Sequence, residues 1–368
     1  MQLSKQSPVV EKYIAETLYR LPEKVLQFGT GVLLRGLCDY YIDKANKQHV
    51  FNGRIVVVKS TDSSGADEFA AQDNLYTHFI RGIEDGVTVD DTVINASISR
   101  VLSAKEQWPQ ILACAANPDM KLIISNTTEI GISYLDEDIT TGSAPQSFPG
   151  KLLAFLYARY KTFSGSAESG MVVIPTELIV NNADKLKEIV IALASYNRLG
   201  EAFVEWVDNA NYFCNSLVDR IVPGKLPPAE KRQAEEALAY TDELMLMSEV
   251  YSLWAIESAK EKVLQTLSFS TVDKGVVLAP DITRYRELKL RLLNGPHTLC
   301  CGLAVLCGFE TVKDAMQDET FYKYVHDLMM KEIAPALSNG VVSLEEAKLY
   351  AQEVLYRFRN PFLQHKWL

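Results

Sequence analysis

The sequence predicts an α/β fold: a parallel sheet flanked by helices over the first part of the chain, followed by a mainly α-helical part. Three observations carry this. Four short apolar runs rich in β-branched residues alternate with helical patterns in the N-terminal half. The first run ends in a glycine turn, Phe28-Gly29-Thr30-Gly31, that leads directly into a helical stripe. From Ala229 onward almost every segment reads as helix.

The four runs are Lys24–Phe28 (KVLQF), Arg54–Val58 (RIVVV), Lys121–Ser125 (KLIIS) and Met171–Pro175 (MVVIP). Short, nearly continuous apolar runs are what parallel strands need when helices cover both faces of the sheet. Between the first two, Leu33, Leu37, Tyr41 and Ala45 recur at helical spacing and form one apolar stripe. Strands alternating with helices imply a parallel sheet. Leu75–Arg81 is a further strand candidate. Asp184–Ala194 is amphipathic, with Leu186, Ile189, Val190 and Leu193 on one face. Pro223–Pro228 (PGKLPP) is a breaker cluster, and Asp138–Ser147 a surface loop. The expected division is residues 1–220 and 221–368.

Composition narrows the function classes. The 368 residues carry 37 Lys+Arg against 47 Asp+Glu, a net charge of −10. That sign argues against nucleic acid as a partner, while leaving room for a local pocket that holds a small anion. No run approaches the ~20 apolar residues that cross a bilayer. The N-terminus, MQLSKQSPVVEKY, lacks the apolar core of a signal peptide, so the expected location is cytoplasmic. The six cysteines form no C-x-x-C pair and read as small buried hydrophobes. Neither a disulfide nor a metal site is expected.

The glycine turn between strand and helix is the place for a dinucleotide. Glycines allow a tight turn and close approach to a pyrophosphate, and the helix start offers free N–H groups. This places Phe28, Gly29, Thr30 and Gly31 at a cofactor, with Arg35 close enough to reach a phosphate. The third glycine of G-x-G-x-x-G is replaced by Leu34. After the second strand, Lys59 stands where an acidic residue usually holds the ribose. Asp62 could serve from the next loop, or Lys59 could meet a 2′-phosphate, so NAD and NADP both remain open at this stage. Ser125, Asn126 and Thr127 end the third strand, where ligands bind in open sheets. They also suit a helix cap.

Lys289, Asn294 and His297 stand at offsets of zero, five and eight in a segment reading KLRLLNGPH. On an ideal helix they share one face. Pro296 is expected to kink or restart that helix because it blocks the bond to the Leu292 carbonyl. These residue types suit exchange between a carbinol and a carbonyl. A lysine with a lowered pKa can take the hydroxyl proton, an amide can stabilise charge on the oxygen, and a histidine can hold it.

Together these pieces resemble the mannitol dehydrogenase family, the polyol-specific long-chain dehydrogenases. The matching segments run in order along nearly the whole chain. They include Gly29-Thr30-Gly31 with Arg35-Gly36, Gln72-Asp73-Asn74-Leu75-Tyr76-Thr77, Ser125-Asn126-Thr127-Thr128-Glu129 and Pro175-Thr176-Glu177-Leu178-Ile179. Asn215 to Ile221 (NSLVDRI), Leu253 to Glu257 (LWAIE) and the Lys289/Asn294/His297 cluster follow. The resemblance implies a Rossmann-like cofactor domain, NAD as cofactor and no metal. It makes Lys289 the general acid/base, Asn294 the oxyanion-type donor and His297 a ligand of substrate oxygen. It places Asp219 at the edge of the site, where it gates proton exit or pairs with Arg220.

Mannitol-type members tend to carry Cys-Asp-Asn where this chain has Thr176-Glu177-Leu178. Members with carboxylate substrates resemble the Glu-Leu-Ile seen here. The implied reaction is therefore interconversion of tagaturonate and altronate, with fructuronate/mannonate, mannitol/fructose or NAD binding without turnover as alternatives. Glu177 and Asn182 become substrate-side candidates, and Arg284 or Arg286 a clamp for the substrate carboxylate. Relatives continue past the point where this sequence stops, and the chain is expected to be a monomer or weak homo-oligomer.

Overall fold

The computed structural model describes residues 1–60, 66–127, 131–338 and 340–368, without the side chains of Ala66 and Asp67. All five strand candidates form. They are β1 (Glu23–Phe28), β2 (Arg54–Lys59), β3 (Tyr76–Glu84), β6 (Leu122–Ser125) and β7 (Val172–Pro175). Between them lie β4 (Val87–Asn95) and β5 (Ile98–Ser103); β8 (Tyr212–Phe213) follows. β5-β2-β1-β6-β7-β8 make a six-stranded sheet in which every pair is parallel.

The two-residue side-chain period divides β1 and β2 between two cores. Leu26, Phe28, Val56 and Val58 pack with the helices Phe148–Thr162, Asn182–Tyr196 and Glu201–Ala210. Val25, Ile55 and Val57 pack on the other face, with Leu34, Leu37 and Tyr41. That second core also takes in Val218, Leu246, Trp254 and Val276 from further along the chain.

The expectation of near-continuous helix after Ala229 is corrected here. β9 (Ser216–Asp219), β10 (Leu246–Glu249), β11 (Leu253–Glu257) and β12 (Val276–Ala279) lie in or just before that region. β12-β11-β9 form one three-stranded sheet, and β10-β3-β4 another. These strands are four or five residues long and mostly buried. Runs of that length contain too few residues for a period to show. A separate core, from Leu288 to Trp367, holds the helical end of the chain together.

The helix after the glycine turn is broken rather than continuous. Val32–Gly36 and Cys38–Lys47 are separate helices, and Leu37 leaves helical geometry at φ −127, ψ −75. The break exposes carbonyls, and side chains take them. The Tyr76 hydroxyl donates to the Arg35 carbonyl at 2.8 Å, and Arg220 Nη1 donates to the Gly36 carbonyl at 2.6 Å. A side chain at Gly36 would meet Val222 at 3.0 Å, so the helix lies as close as glycine permits.

The Pro296 expectation is also refined. Lys289–Asn294 is a π-helical stretch that passes into the α-helix Gly295–Leu306. A second π stretch, Leu328–Ile333, stands likewise two residues before a proline, Pro335, in the helix Ala334–Leu337. A proline cannot donate to the carbonyl four residues back. The wider i→i+5 turn replaces the bond that the proline forbids.

Beneath the glycine turn, Gln27 Nε2 donates to the Gly29 carbonyl at 3.3 Å and to Asp39 Oδ2 at 3.4 Å. Asp39 is completely buried, and burial pushes its pKa up to about 8. Its folded-state value thus exceeds the unfolded one, and stability falls as pH rises from about 4 towards 8. Asp39→Asn removes that dependence. The variant should unfold at higher urea than the parent, with a gain that grows with pH up to about 8 and then levels off.

Candidate active site

The carboxyl ends of β1, β6 and β7 meet at the glycine turn. Gly29 has φ +125, and a side chain there would lie 2.8 Å from the Asn126 carbonyl oxygen. Only glycine fits this approach. Gly31, by contrast, is exposed, and a side chain there would meet nothing within 4 Å. The turn is therefore pressed against β6 at its first glycine and open at its second, which leaves room for a pyrophosphate beside the backbone. Thr30 sits half-buried between them. Phe28 goes to the core, its ring 5.1 Å from that of Phe148, so only its backbone belongs to the turn.

Arg35 does not face the turn. Its guanidinium is buried, donates to the Leu244 carbonyl at 2.5 Å and lies over the rings of Phe69 and Tyr76. It ties the broken helix to the segment before β10, and the phosphate role expected of it has no support in this placement. Leu34 fills the space under the turn, 3.1 Å from where a Gly29 side chain would be. Asp62 lies outside the described residues.

Glu177 organises the β6 loop. Its carboxylate accepts from the Ser125 hydroxyl at 3.0 Å, and from the Thr127 backbone N–H and hydroxyl at 2.9 Å each. Burial raises its pKa, against the pull of these donors. Asn126 is pinned separately to the Thr176 carbonyl and hydroxyl. Asn182 is fully buried: its amide donates to the carbonyls of Pro175, Glu177 and Ser216 at 3.0 Å each, and accepts from the Ser216 N–H. Glu177 and Asn182 thus hold the loops in place instead of presenting free groups to a substrate.

From Ser216 the path leads along β9 to the lysine. Lys289 Nζ donates to the Val218 carbonyl at 2.8 Å. Burial is the main cause of its lowered pKa. Asp219 and Glu249 oppose that shift, and the charge of Arg357 reinforces it. Asn294 is exposed at the end of the π stretch, five residues on. In i→i+5 geometry those two residues fall on one face more closely than α-geometry would put them. His297 is half-buried, with its ring stacked on His365 at 4.9 Å and Trp367 at 5.0 Å. Burial lowers its pKa and keeps it neutral near pH 7, and Nδ1 has no partner among the described residues.

Asp219 does not pair with Arg220, which is taken up by the carbonyls of Gly36 and Glu249. Its partner is Arg357, a residue the sequence reading missed. Arg357 Nη1 and Nη2 donate to the two Asp219 oxygens at 2.9 Å each, while Nε and Nη2 reach Glu249 at 2.9 and 2.8 Å. The Tyr350 hydroxyl donates to Asp219 at 3.0 Å. Burial would raise Asp219, but the Arg357 charge and hydrogen bonds outweigh it and hold the carboxyl below the usual range. An arginine more than 100 residues away in sequence leaves no local signal; its R-F-R-N-P setting shows only a helix end.

Arg284 is exposed, bonded to the Tyr285 hydroxyl, with Glu346 at 3.9 Å. Its neighbour Tyr285 lines a cavity of about 1010 Å³ with Leu288 and Tyr350, where Glu345, Glu346, Glu353 and four further carboxylates outnumber Lys44 and Lys274. That predominantly acidic lining has the wrong sign for a pyrophosphate or a sugar acid.

Asn182→Ala should leave the buried Ser216 N–H without its acceptor and take one donor from each of three carbonyls, of which Pro175 keeps the Ser216 hydroxyl and Glu177 the Ile179 N–H. We expect about 1–3 kcal/mol lower unfolding free energy in urea, with the denaturant slope unchanged.

Known proteins resemble this chain in sequence and in fold. The chain is 42% identical over 349 residues to an altronate oxidoreductase of Halalkalibacterium halodurans, covering 94% of this chain and 67% of that one. It is 39% identical over 356 residues to the altronate oxidoreductase of Bacillus subtilis, covering 97% and 73%. Among solved structures, a D-sorbitol dehydrogenase in substrate-free form superimposes with a TM-score of 0.78 at 21% identity, over 96% of this chain and 76% of that one. Mannitol 2-dehydrogenase of Pseudomonas fluorescens, in a ternary complex with NAD and D-mannitol, gives 0.75 at 22% identity, over 100% and 75%. These two share the fold. The mannitol dehydrogenase Rossmann domain matches residues 23–267, and the mannitol dehydrogenase C-terminal domain matches residues 281–368. The chain belongs to the mannitol dehydrogenase family.

Proposed function

We propose that this chain is an NAD-dependent oxidoreductase that interconverts tagaturonate and altronate, with Lys289 as the general acid/base. The observation that carries the reading is the half-buried Lys289 side chain, whose amine is bonded to a backbone carbonyl and to no carboxylate in the bonds described. A lysine on the surface would stay protonated near pH 7; one desolvated beside a guanidinium releases its proton far more readily. Identity of 42% and 39% to altronate oxidoreductases over nearly the whole chain supports the substrate pair.

The glycine turn suits the cofactor: Gly31 leaves open space, and Gly29 brings the backbone against Asn126. Gly29, Thr30, Gly31 and the Ser125–Thr127 loop would hold it. NAD held there would supply the hydride acceptor for the alcohol carbon of altronate, and NADH the donor for the keto carbon of tagaturonate. In oxidation Lys289 takes the hydroxyl proton, and in reduction it returns one to the same oxygen. Asn294, on the face shared with Lys289, offers its amide to that oxygen. His297, neutral near pH 7, adds a hydrogen bond. Glu177 and Asn182 hold the loops on which the cofactor and substrate would rest.

The test follows NADH absorbance with tagaturonate, fructuronate and fructose in parallel. Oxidation with tagaturonate alone is expected. Lys289→Met should lower kcat by about 10²–10⁴-fold while leaving NADH affinity nearly unchanged. Turnover of fructuronate or fructose instead would retain the chemistry and replace the substrate. NADH binding without turnover of any of the three would make the chain a nucleotide-binding protein.

Gly29→Ala places a methyl group against the Asn126 carbonyl in a backbone region that disfavours it. NADH titration should show weaker binding by at least about 10-fold, equivalent to about 1.4 kcal/mol.

A further inference from the structure

The bonds around Asp219 raise a question that the reaction itself does not answer. A carboxylate next in sequence to the carbonyl that holds Lys289 is the natural ion-pair partner for that lysine. Such a pair would stabilise the ammonium and spoil the lysine as a base. In the structure the pair is pre-empted. Both Asp219 oxygens accept from Arg357 in a two-pronged contact, and one also accepts from the Tyr350 hydroxyl. Arg357 is in turn fixed by two bonds to Glu249, and its guanidinium lies 4.2 Å from the Tyr251 ring centre. All three charged groups are at most 5% exposed.

We propose that Arg357 and Glu249 are positioning residues for Lys289. By occupying both oxygens of Asp219, Arg357 keeps that carboxylate from pairing with the lysine. Glu249 holds the guanidinium in place to do so. The amine is left with a neutral carbonyl as its partner and can exchange a proton. This rests on the reading of Lys289 as the acid/base, and the test below separates the two.

The charges facing Lys289 from its neighbours are Asp219 on β9, Glu249 on β10 and Arg357 on the helix Leu344–Phe358, which also carries the Tyr350 hydroxyl. On the lysine's own helical segment, Arg291 is paired with Glu287 at 3.3 Å. Two anions and one cation thus surround the amine, and an anion freed from Arg357 would turn to it. Geometry favours arginine for this task. Its planar fork satisfies two carboxylates at once, which a lysine ammonium cannot do.

The experiment measures how readily Lys289 is acylated by acetic anhydride as pH varies, read by mass spectrometry of the Lys289 peptide. It needs neither cofactor nor turnover. The double variant Arg357→Met/Glu249→Gln removes one cation and one anion and frees Asp219. Its acylation midpoint should move up by about 1 pH unit or more. Asp219→Asn removes the competing anion while leaving Arg357 bonded to Glu249, and its midpoint should move down. Arg357→Lys keeps a cation without the fork and should move the midpoint up by less than the double variant.

A merely structural role would lower the folded fraction without moving the midpoint of the folded protein. An unmoved midpoint in the double variant overturns the proposal. If circular dichroism shows that this variant does not fold, Asp219→Asn decides: a midpoint that fails to fall overturns the proposal. The pH limb of NADH turnover, measured on the same variants, tests the separate reading. If the acylation midpoint shifts and the turnover limb does not, the positioning role stands and the acid/base role of Lys289 fails.

Discussion

The buried contact of Arg357 with Asp219 and Glu249 is the constraint from which much of the C-terminal geometry follows. It joins β9 and β10, strands of two different sheets, to the helix Leu344–Phe358 from a distant part of the chain. Taking three charges out of water is expensive, and a buried ion cluster is weak evidence for net stability. Its worth lies in orientation. The fork bonds both carboxylates at once, and these bonds fix the last long helix against the two strands. That docking brings the core containing Leu288, Leu292 and Val354 against the strands, and with it the Lys289 amine against Val218.

Backbone irregularities supply the rest of the site. The helix after the glycine turn breaks at Leu37, and the freed carbonyls of Arg35 and Gly36 are taken by Tyr76 and Arg220. Arg220 also bonds the Glu249 carbonyl, so the break near the cofactor end is coupled to the strand that carries the Arg357 partner. The π stretch Lys289–Asn294 is a second irregularity, with a local cause in Pro296. An ideal helix would present Lys289 and Asn294 more obliquely to one another. The wider turn aligns them, so a proline that weakens the helix also shapes the face that carries the chemistry.

Much of this was legible in the amino-acid order. The strands near Lys24, Arg54, Lys121 and Met171 announced themselves by continuous β-branched runs, because both faces of a central parallel strand are buried. The glycine turn was legible because a positive φ and a close approach demand a particular residue, Gly29. Strands β9 to β12 were not, since four or five residues in a helical neighbourhood carry no readable period. Side-chain direction was equally hidden. Arg35 and Arg284 looked available for anions, yet one turns inward under two aromatic rings and the other faces solvent. Glu177 and Asn182 were picked out as polar residues of the right segments, and their carbonyl and hydroxyl partners make them braces.

The sequence by itself determined the α/β class, the place of the cofactor turn and the Lys289–Asn294–His297 spacing, because each depends on residues near one another along the chain. Local sterics and hydrogen-bonding chemistry act over a few residues, and they leave their mark there. Tertiary structure alone decided which carboxylate meets which cation. Asp219 passes over its neighbour Arg220 and takes Arg357, 138 positions away, because burial makes the two-pronged geometry available only there. The state of Lys289 follows from that choice: desolvation and the surrounding charges act through space, and no order of residues displays them until the chain has folded.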